Sequence, residues 1–485
     1  MKDLYLKHDA TGLAALVAQG EVTPTELLDV ALDLVAALNP RLNAVVHLRQ
    51  EVARGAIDSG LPEGPFRGVP FLIKDLGAEA VDFPTNNGSK LMQDMGWSYD
   101  SEIFLRMRAT GLNTFARTTS PELGVGPVTE SQVYGGPTRN PWNLDHTSGG
   151  SSGGSGAAVA AGIVPIAHGS DGGGSVRIPA SSCGLVGFKP TRARLPDGPA
   201  SGEGWGGMAI DGSLSRSLRD TATMLDATRG ADLGAPYWAP PMQGSYTDAM
   251  ARAPGPLKVR FSTKTLSGGP VHPECVQAVE KTARLLERLG HSVEEFQPAA
   301  DLDVEAMMLA WTRIVACGTA LTVRTALKGA PLDPTMIEGV TRGALAHADQ
   351  ISGADYLASV NAVHAFGRRM ARVFLDCDVL VTPTLAAPPA PVGQLKPDNE
   401  NFVDYRNGPG GVFEYSPFTA IFNASGQPAV SLPLHWSADG LPVGVHLAMA
   451  FGADEALMSL CGQIETAAPW AATQQRLLDQ GGIAT

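Results

Sequence analysis

Two clusters of glycine and serine, at residues 149–156 and 169–175, hold the side chains best suited to chemistry in this 485-residue chain. Glycine lets the backbone take positive φ and approach other atoms closely, so such a cluster can aim several N–H groups at one point. An oxyanion needs that arrangement. Ser175 directly follows Gly172, Gly173 and Gly174, so the N–H groups of residues 172–175 could surround the serine that attacks. A run of this composition can also be a flexible linker. The intervening AAVAAGIVPIA at 157–167 argues against that, because it reads as a short buried helix running into a buried strand.

A serine becomes a nucleophile only beside a base. Neither cluster contains a histidine, although one could approach in space. A lysine offers a second route. The segment GVPFLIKD at 68–75 reads as a strand whose Phe71, Leu72 and Ile73 lead to Lys74 without a polar break. A strand buried on both faces carries its amine inside, where desolvation favours the neutral, proton-accepting form. Moving that amine from a pKa of about 10.4 to near neutrality takes several kcal/mol, at about 1.36 kcal/mol per unit. The ordinary alternative is a solvated surface lysine.

Other motifs fit their contexts poorly. Ser151 and Ser152 each sit in a G-x-S-x-G match, but the nucleophile elbow needs a preceding strand, and NPWNLDHT at 140–147 is rich in turn formers. GEGWGG at 202–207 matches a dinucleotide fingerprint by letter but follows LPDGP at 195–199 rather than a strand. The five cysteines are scattered without a C-x-x-C pair, and the ten histidines form no H-E-x-x-H or H-x-H. No metal and no cofactor are expected, and free thiols fit a reducing cytoplasm.

The elements that must position these groups alternate between strand and helix, which predicts an α/β domain with helices on both faces of a sheet. Thr23, Pro24 and Glu26 form a capping box opening a helix to about Leu38, where Asn39 and Pro40 should stop it. A helix near 101–110 leads to a strand at 112–118, and residues 120–134 form a loop beyond it. Helices dominate from about 304 to 375, a strand follows at 378–384, and segments 430–434 and 443–447 form a hairpin around Asp439 and Gly440. A last helix spans about 454–466. The charge balance, 36 basic against 49 acidic residues for a net −13, argues against nucleic acid and anionic membrane as partners. The N-terminal MKDLYLKHDATG lacks a secretory pattern. The apolar runs reach only about eleven residues, too short for a bilayer.

The runs GGSSGGSGAAVAAG, GSDGGGSVRIPAS and CGLVGFKPT resemble the signature block of the amidase signature family nearly end to end. GVPFLIKD is similar to that family's lysine-bearing strand. The likeness extends to TPTELL, to Asn140-Pro141-Trp142 and to NASGQPAVSLP at 423–433, and is weakest from about 230 to 370. The resemblance implies one large domain over 1–485, with a mixed, mostly parallel twisted sheet of about ten or eleven strands covered by helices on both faces. Its parts would be an N-terminal helical arm to about 65, a core at about 66–230 and a variable helical region over the substrate at about 300–375.

The resemblance also implies a Ser-Ser-Lys triad. Ser175 would take the acyl group, and Ser151, on a cis peptide after Gly150, would relay protons to neutral Lys74. Gly172, Gly173, Gly174 and Ser175 would form the oxyanion hole. Gly150, Ser152 and a buried Asp171–Arg177 ion pair would brace it. Gly124, Val125, Gly126 and Cys317 would line the pocket. The chain departs from the family pattern at Ser170, often Thr, and at Gly172, where Thr, Ile or Ala is usual; Gly172 should loosen the turn while keeping its N–H. Within the family the likeness is to bacterial cyclic-amide hydrolases, aryl acylamidases and urethanases. A small amide or carbamate with a sizeable apolar portion is therefore the expected substrate, and a monomer or homodimer the expected state. The alternatives are a glutaminyl-tRNA amidotransferase A-type subunit and a noncatalytic binding protein on the same scaffold.

Overall fold

The apolar run before Lys74 forms a strand in which all five residues, Pro70–Lys74, are buried. The computed structural model describes residues 1–93, 95–299 and 301–484. Its strands are β1 (Val45–Val46), β2 (Pro70–Lys74), β3 (Asn113–Thr118), β4 (Arg139–Asn140), β5 (Asn143–Thr147), β6 (Ile166–Asp171), β7 (Val186–Lys189), β8 (Ile210–Ser215), β9 (Lys258–Phe261), β10 (Ser292–Glu295), β11 (Val379–Pro383), β12 (Ala429–Trp436) and β13 (Pro442–Met449). Eleven of them form one sheet in the order β1-β3-β2-β6-β8-β7-β12-β13-β11-β9-β10, while β4 and β5 pair separately.

The sheet is mixed, as expected, but it is not mostly parallel. Parallel pairing is confined to the β3-β2-β6 and β10-β9-β11 blocks. The other six pairings are antiparallel. The β12–β13 hairpin and β7–β8 supply the centre of the sheet and join the two parallel blocks through antiparallel contacts.

Three further expectations need correction. The capping box at Thr23 is present, but its helix runs through Pro40 to Leu42. Proline removes one intrahelical donor near the end of the helix, and just past that end Asn39 accepts from Ala44 N and Val45 N, each at 2.8 Å, which fixes the exit of the chain. A helix at Ala471–Asp479 follows the one expected to be last. The Val304–Leu327 helix has a mean hydropathy of 1.5 over an 18-residue window, long and apolar enough to cross a bilayer, yet 61% of that window is buried within the protein. Its Met307, Trp311, Ile314 and Val315 form a second hydrophobic cluster with the Gly353–Asp376 helix.

Topology gathers the chemistry at one sheet edge. Because β2 and β6 run parallel, their last residues, Lys74 and Asp171, point to the same end. Strand β8 runs antiparallel to β6 with Ser170 opposite Asp211, so the loop before β8 opens there too. The carboxyl ends of parallel strands are where such sheets bind ligands.

Candidate active site

The turn after β6 is held by one carboxylate. Asp171 Oδ1 accepts from Gly174 N at 2.8 Å and Oδ2 from Val176 N at 3.2 Å. Arg177 bridges both oxygens, through Nη2 at 2.8 Å and Nε at 2.9 Å. Arg177 also donates to Asn423 Oδ1 at 2.6 Å, to Thr419 O at 2.9 Å and to His446 Nε2 at 3.0 Å. Burial alone would raise the Asp171 pKa, but Arg177 and Asn423 outweigh it and hold the carboxyl below the usual carboxylate range. Burial and then Arg177 push His446 well down, which keeps its ring neutral and able to accept. The glycines follow from this turn. Gly174 has φ +129°, and a Cβ there would collide with Thr419 Oγ1.

Lys74 is completely buried. Its Nζ donates to Ser151 Oγ at 2.6 Å and to Ser170 Oγ at 3.0 Å. Burial brings its pKa down from 10.5 to about 7, against the pull of Asp211 and Asp171. Its backbone N–H donates to His168 Nδ1 at 3.2 Å, so the His168 proton sits on Nε2 and faces Asp211 Oδ1 at 3.0 Å. This histidine stands behind Lys74 and anchors it.

The Gly150–Ser151 peptide is cis, and the Gly153–Ala160 helix starts two residues later. Ser152 joins the two clusters: its N–H donates to Ser175 O at 3.3 Å, and its Oγ meets both Ser170 N and Ser170 O at 3.3 Å. Ser151, Ser170, Gly172 and Ser175 all line one cavity of about 430 Å³. The Ser175 hydroxyl has no hydrogen-bond partner among the described residues and is left for a ligand.

Some expected roles are not met. Gly174 N–H is occupied by Asp171, so the donors without a protein partner among the described residues are those of Gly172, Gly173 and Ser175. Val125 is 5% exposed and packs in the second hydrophobic cluster. Cys317 packs beside the same cluster, while Gly318 and Thr319, further along the helix, reach the cavity. Gly124 and Gly126 line a smaller pocket that also meets Ser175. Gly172 does not loosen the turn, because the space a side chain would take holds the ring of Trp205, 2.6 Å from a Cβ at that position.

The sequence reading missed His168, Asp211, Thr419, Asn423 and Trp205. Asn423 lay in a segment already singled out by resemblance, and Trp205 in the glycine run set aside as a chance match. His168 and Asp211 left no signal, because their pairing depends on the β6–β8 register.

The amidase family profile matches residues 26–458. A 6-aminohexanoate-cyclic-dimer hydrolase of Paenarthrobacter ureafaciens is 37% identical over 489 residues, covering 99% of this chain and 98% of that protein. A putative amidase, AmiC, of Mycobacterium tuberculosis is 37% identical over 96% of this chain and 95% of its own. Among solved structures, 6-aminohexanoate cyclic dimer hydrolase with substrate superposes with a TM-score of 0.90 at 35% identity, covering 98% of this chain and 99% of the other. A bacterial aryl acylamidase superposes with a TM-score of 0.88 at 28% identity, covering 99% of each chain. Matches of this length and identity, on a chain with this sheet and this cavity, make the protein a hydrolase of amide carbon–nitrogen bonds that belongs to the amidase signature family.

Proposed function

We propose that the enzyme works through an acyl-enzyme on Ser175, with Ser151 passing protons between Ser175 and an uncharged Lys74. Ser175 Oγ attacks the carbonyl carbon as its proton moves to Ser151 Oγ and the Ser151 proton moves to Lys74 Nζ. The N–H groups of Gly172, Gly173 and Ser175 receive the oxyanion. When the tetrahedral adduct collapses, Lys74 returns the proton through Ser151 to the departing nitrogen, because an amine leaves only when protonated. Water then adds to the ester by the reverse path and releases the acid. The observation that carries this reading is the 2.6 Å contact between a fully buried Lys74 and Ser151. A buried amine near neutrality is a base poised for pH 7.

The substrate we propose is an amide with one large flank, with cyclic and oligomeric amides, anilides and carbamates as the classes to rank. The cavity volume suits a small organic molecule. Among the described residues its lining includes Glu79, Asp197, Glu203 and Asp211 but no lysine or arginine, which favours neutral and cationic substrates over anionic ones.

Labelling with a fluorophosphonate tests the nucleophile. Ser175 is the expected site of attachment, and Ser175→Ala should abolish both labelling and amide hydrolysis. Modification elsewhere, or retained turnover, would overturn the assignment.

A further inference from the structure

We propose that Trp205 is the specificity-determining side chain: its indole is a removable partition between two chambers that meet at Ser175, restricting acylation to reagents with one bulky and one compact flank. This rests on Ser175 being the acylated residue.

The outer chamber is the cavity of about 430 Å³, and the inner one, about 20 Å³, is an aromatic box walled by Trp311, Phe413, Val412 and Ile178. Among the described residues, Ser175 and Trp205 are the two that line both. A space of the inner size holds about one water molecule. With the indole in place, only a small substituent fits on that side of the reacting atom.

Two glycines make the slot that holds the ring. A Cβ at Gly172 would lie 2.6 Å from Trp205 Cζ3, and one at Gly318 would lie 2.8 Å from Cδ1 and 3.0 Å from Nε1. These glycines come from different elements, the turn after β6 and the Val304–Leu327 helix. Trp311 meets the indole edge-on, with centroids 5.7 Å apart at 80°.

The two tryptophans are held differently. Trp311 is 2% exposed, donates through Nε1 to Gly172 O at 3.2 Å and has the Arg406 guanidinium 4.7 Å from its ring. Trp205 is half-buried, and its indole N–H has no hydrogen-bond partner among the described residues. Its backbone has φ +50°, followed by Gly206 at +63° and Gly207 at +78°. A bulky residue stays in the left-handed region only where its surroundings hold it. Here the backbone is held by the turn, in which Met208 N and Ala209 N both donate to Gly204 O at 3.1 Å, while the ring is held by the slot, so a group placed in the slot should dislodge the ring. Trp311 is the fixed wall and Trp205 the movable one.

The test compares labelling rates for two fluorophosphonates, one with a bulky and a methyl arm, the other with two bulky arms. In each, Ser175 Oγ bonds to phosphorus, fluoride leaves, and the serine proton passes to the base. The wild type should favour the single-armed reagent by about tenfold or more. Trp205→Ala should bring the ratio close to one. Gly318→Ala should shift it the same way, and the double variant should move no further than Trp205→Ala, because both act through one ring. Thermal midpoints identify any variant that fails to fold. A ratio unchanged in folded Trp205→Ala, or fully additive effects, would overturn the partition. Labelling that persists in Ser175→Ala would instead overturn the nucleophile on which it rests.

Discussion

Asp171 and Arg177 meet through two hydrogen bonds, at 2.8 and 2.9 Å, with both side chains wholly excluded from solvent. The pair sits beneath the glycine turn and fixes it, since Asp171 also accepts from Gly174 and Val176. Removing one partner leaves a buried charge alone. Arg177→Met is therefore expected to cost about 3–5 kcal/mol, measured as the shift in denaturation free energy at pH 7.

The same pair sets an acid limit on stability. Asp171 has a folded pKa below its unfolded value. Its contribution is complete above the unfolded pKa of about 3.9 and is lost as pH falls below it toward the folded value. The denaturation midpoint should fall more steeply below about pH 4 in the wild type than in an Asp171→Asn, Arg177→Met double variant.

Asp211, paired with His168 beside Lys74, acts on the amine through its charge and favours the protonated form. In Asp211→Asn, the Lys74 pKa should drop, so the acidic limb of kcat/KM, centred near the Lys74 value of about 7 in the wild type, should move to lower pH. An unmoved limb would show that this carboxylate does not act on the lysine.

Charge in the cavity should select substrates. Between two amides of equal size, one ending in an ammonium and one in a carboxylate, kcat/KM should favour the ammonium by about tenfold or more at low salt. Burial and nearby Asp211 raise the Asp197 pKa to about 7. The preference should therefore grow as pH rises through that value and shrink with added salt.

Gly174→Ala should be costly on both counts. Its φ of +129° is strained for alanine, and the new methyl would press on Thr419 and on Ile178 Cδ1, 2.9 Å away. A loss of about 1–3 kcal/mol of stability is expected, together with a loss of turnover under the proposed mechanism, in which this turn presents the oxyanion donors.

Much of this site was legible because the sequence clustered its chemistry. Lys74 ended an unbroken apolar strand, and Ser151 and Ser175 each lay in a glycine run. These are local signals. The rest depends on pairing that no local pattern encodes. His168 meets Lys74 and Asp211 only because β6 lies between β2 and β8. The occupied Gly174 N–H follows from how Asp171 folds back over its own turn. The parallel share of the sheet was overestimated because strand–helix alternation reveals crossovers but not the antiparallel strands inserted between them. Cys317 was placed in the pocket without knowing the face of its helix, which turns Gly318 and Thr319 to the cavity instead.

The central claim is that Lys74 acts as an uncharged base on Ser175, and the pH dependence of fluorophosphonate labelling in wild type and Lys74→Met tests it most directly. The wild-type rate should rise through about pH 7 and level off, following the loss of the Lys74 proton. In Lys74→Met the rate should fall by about 10²–10⁴-fold and lose that rise. A folded Lys74→Met enzyme that labels at the wild-type rate, or keeps the same ionisation, would contradict the claim.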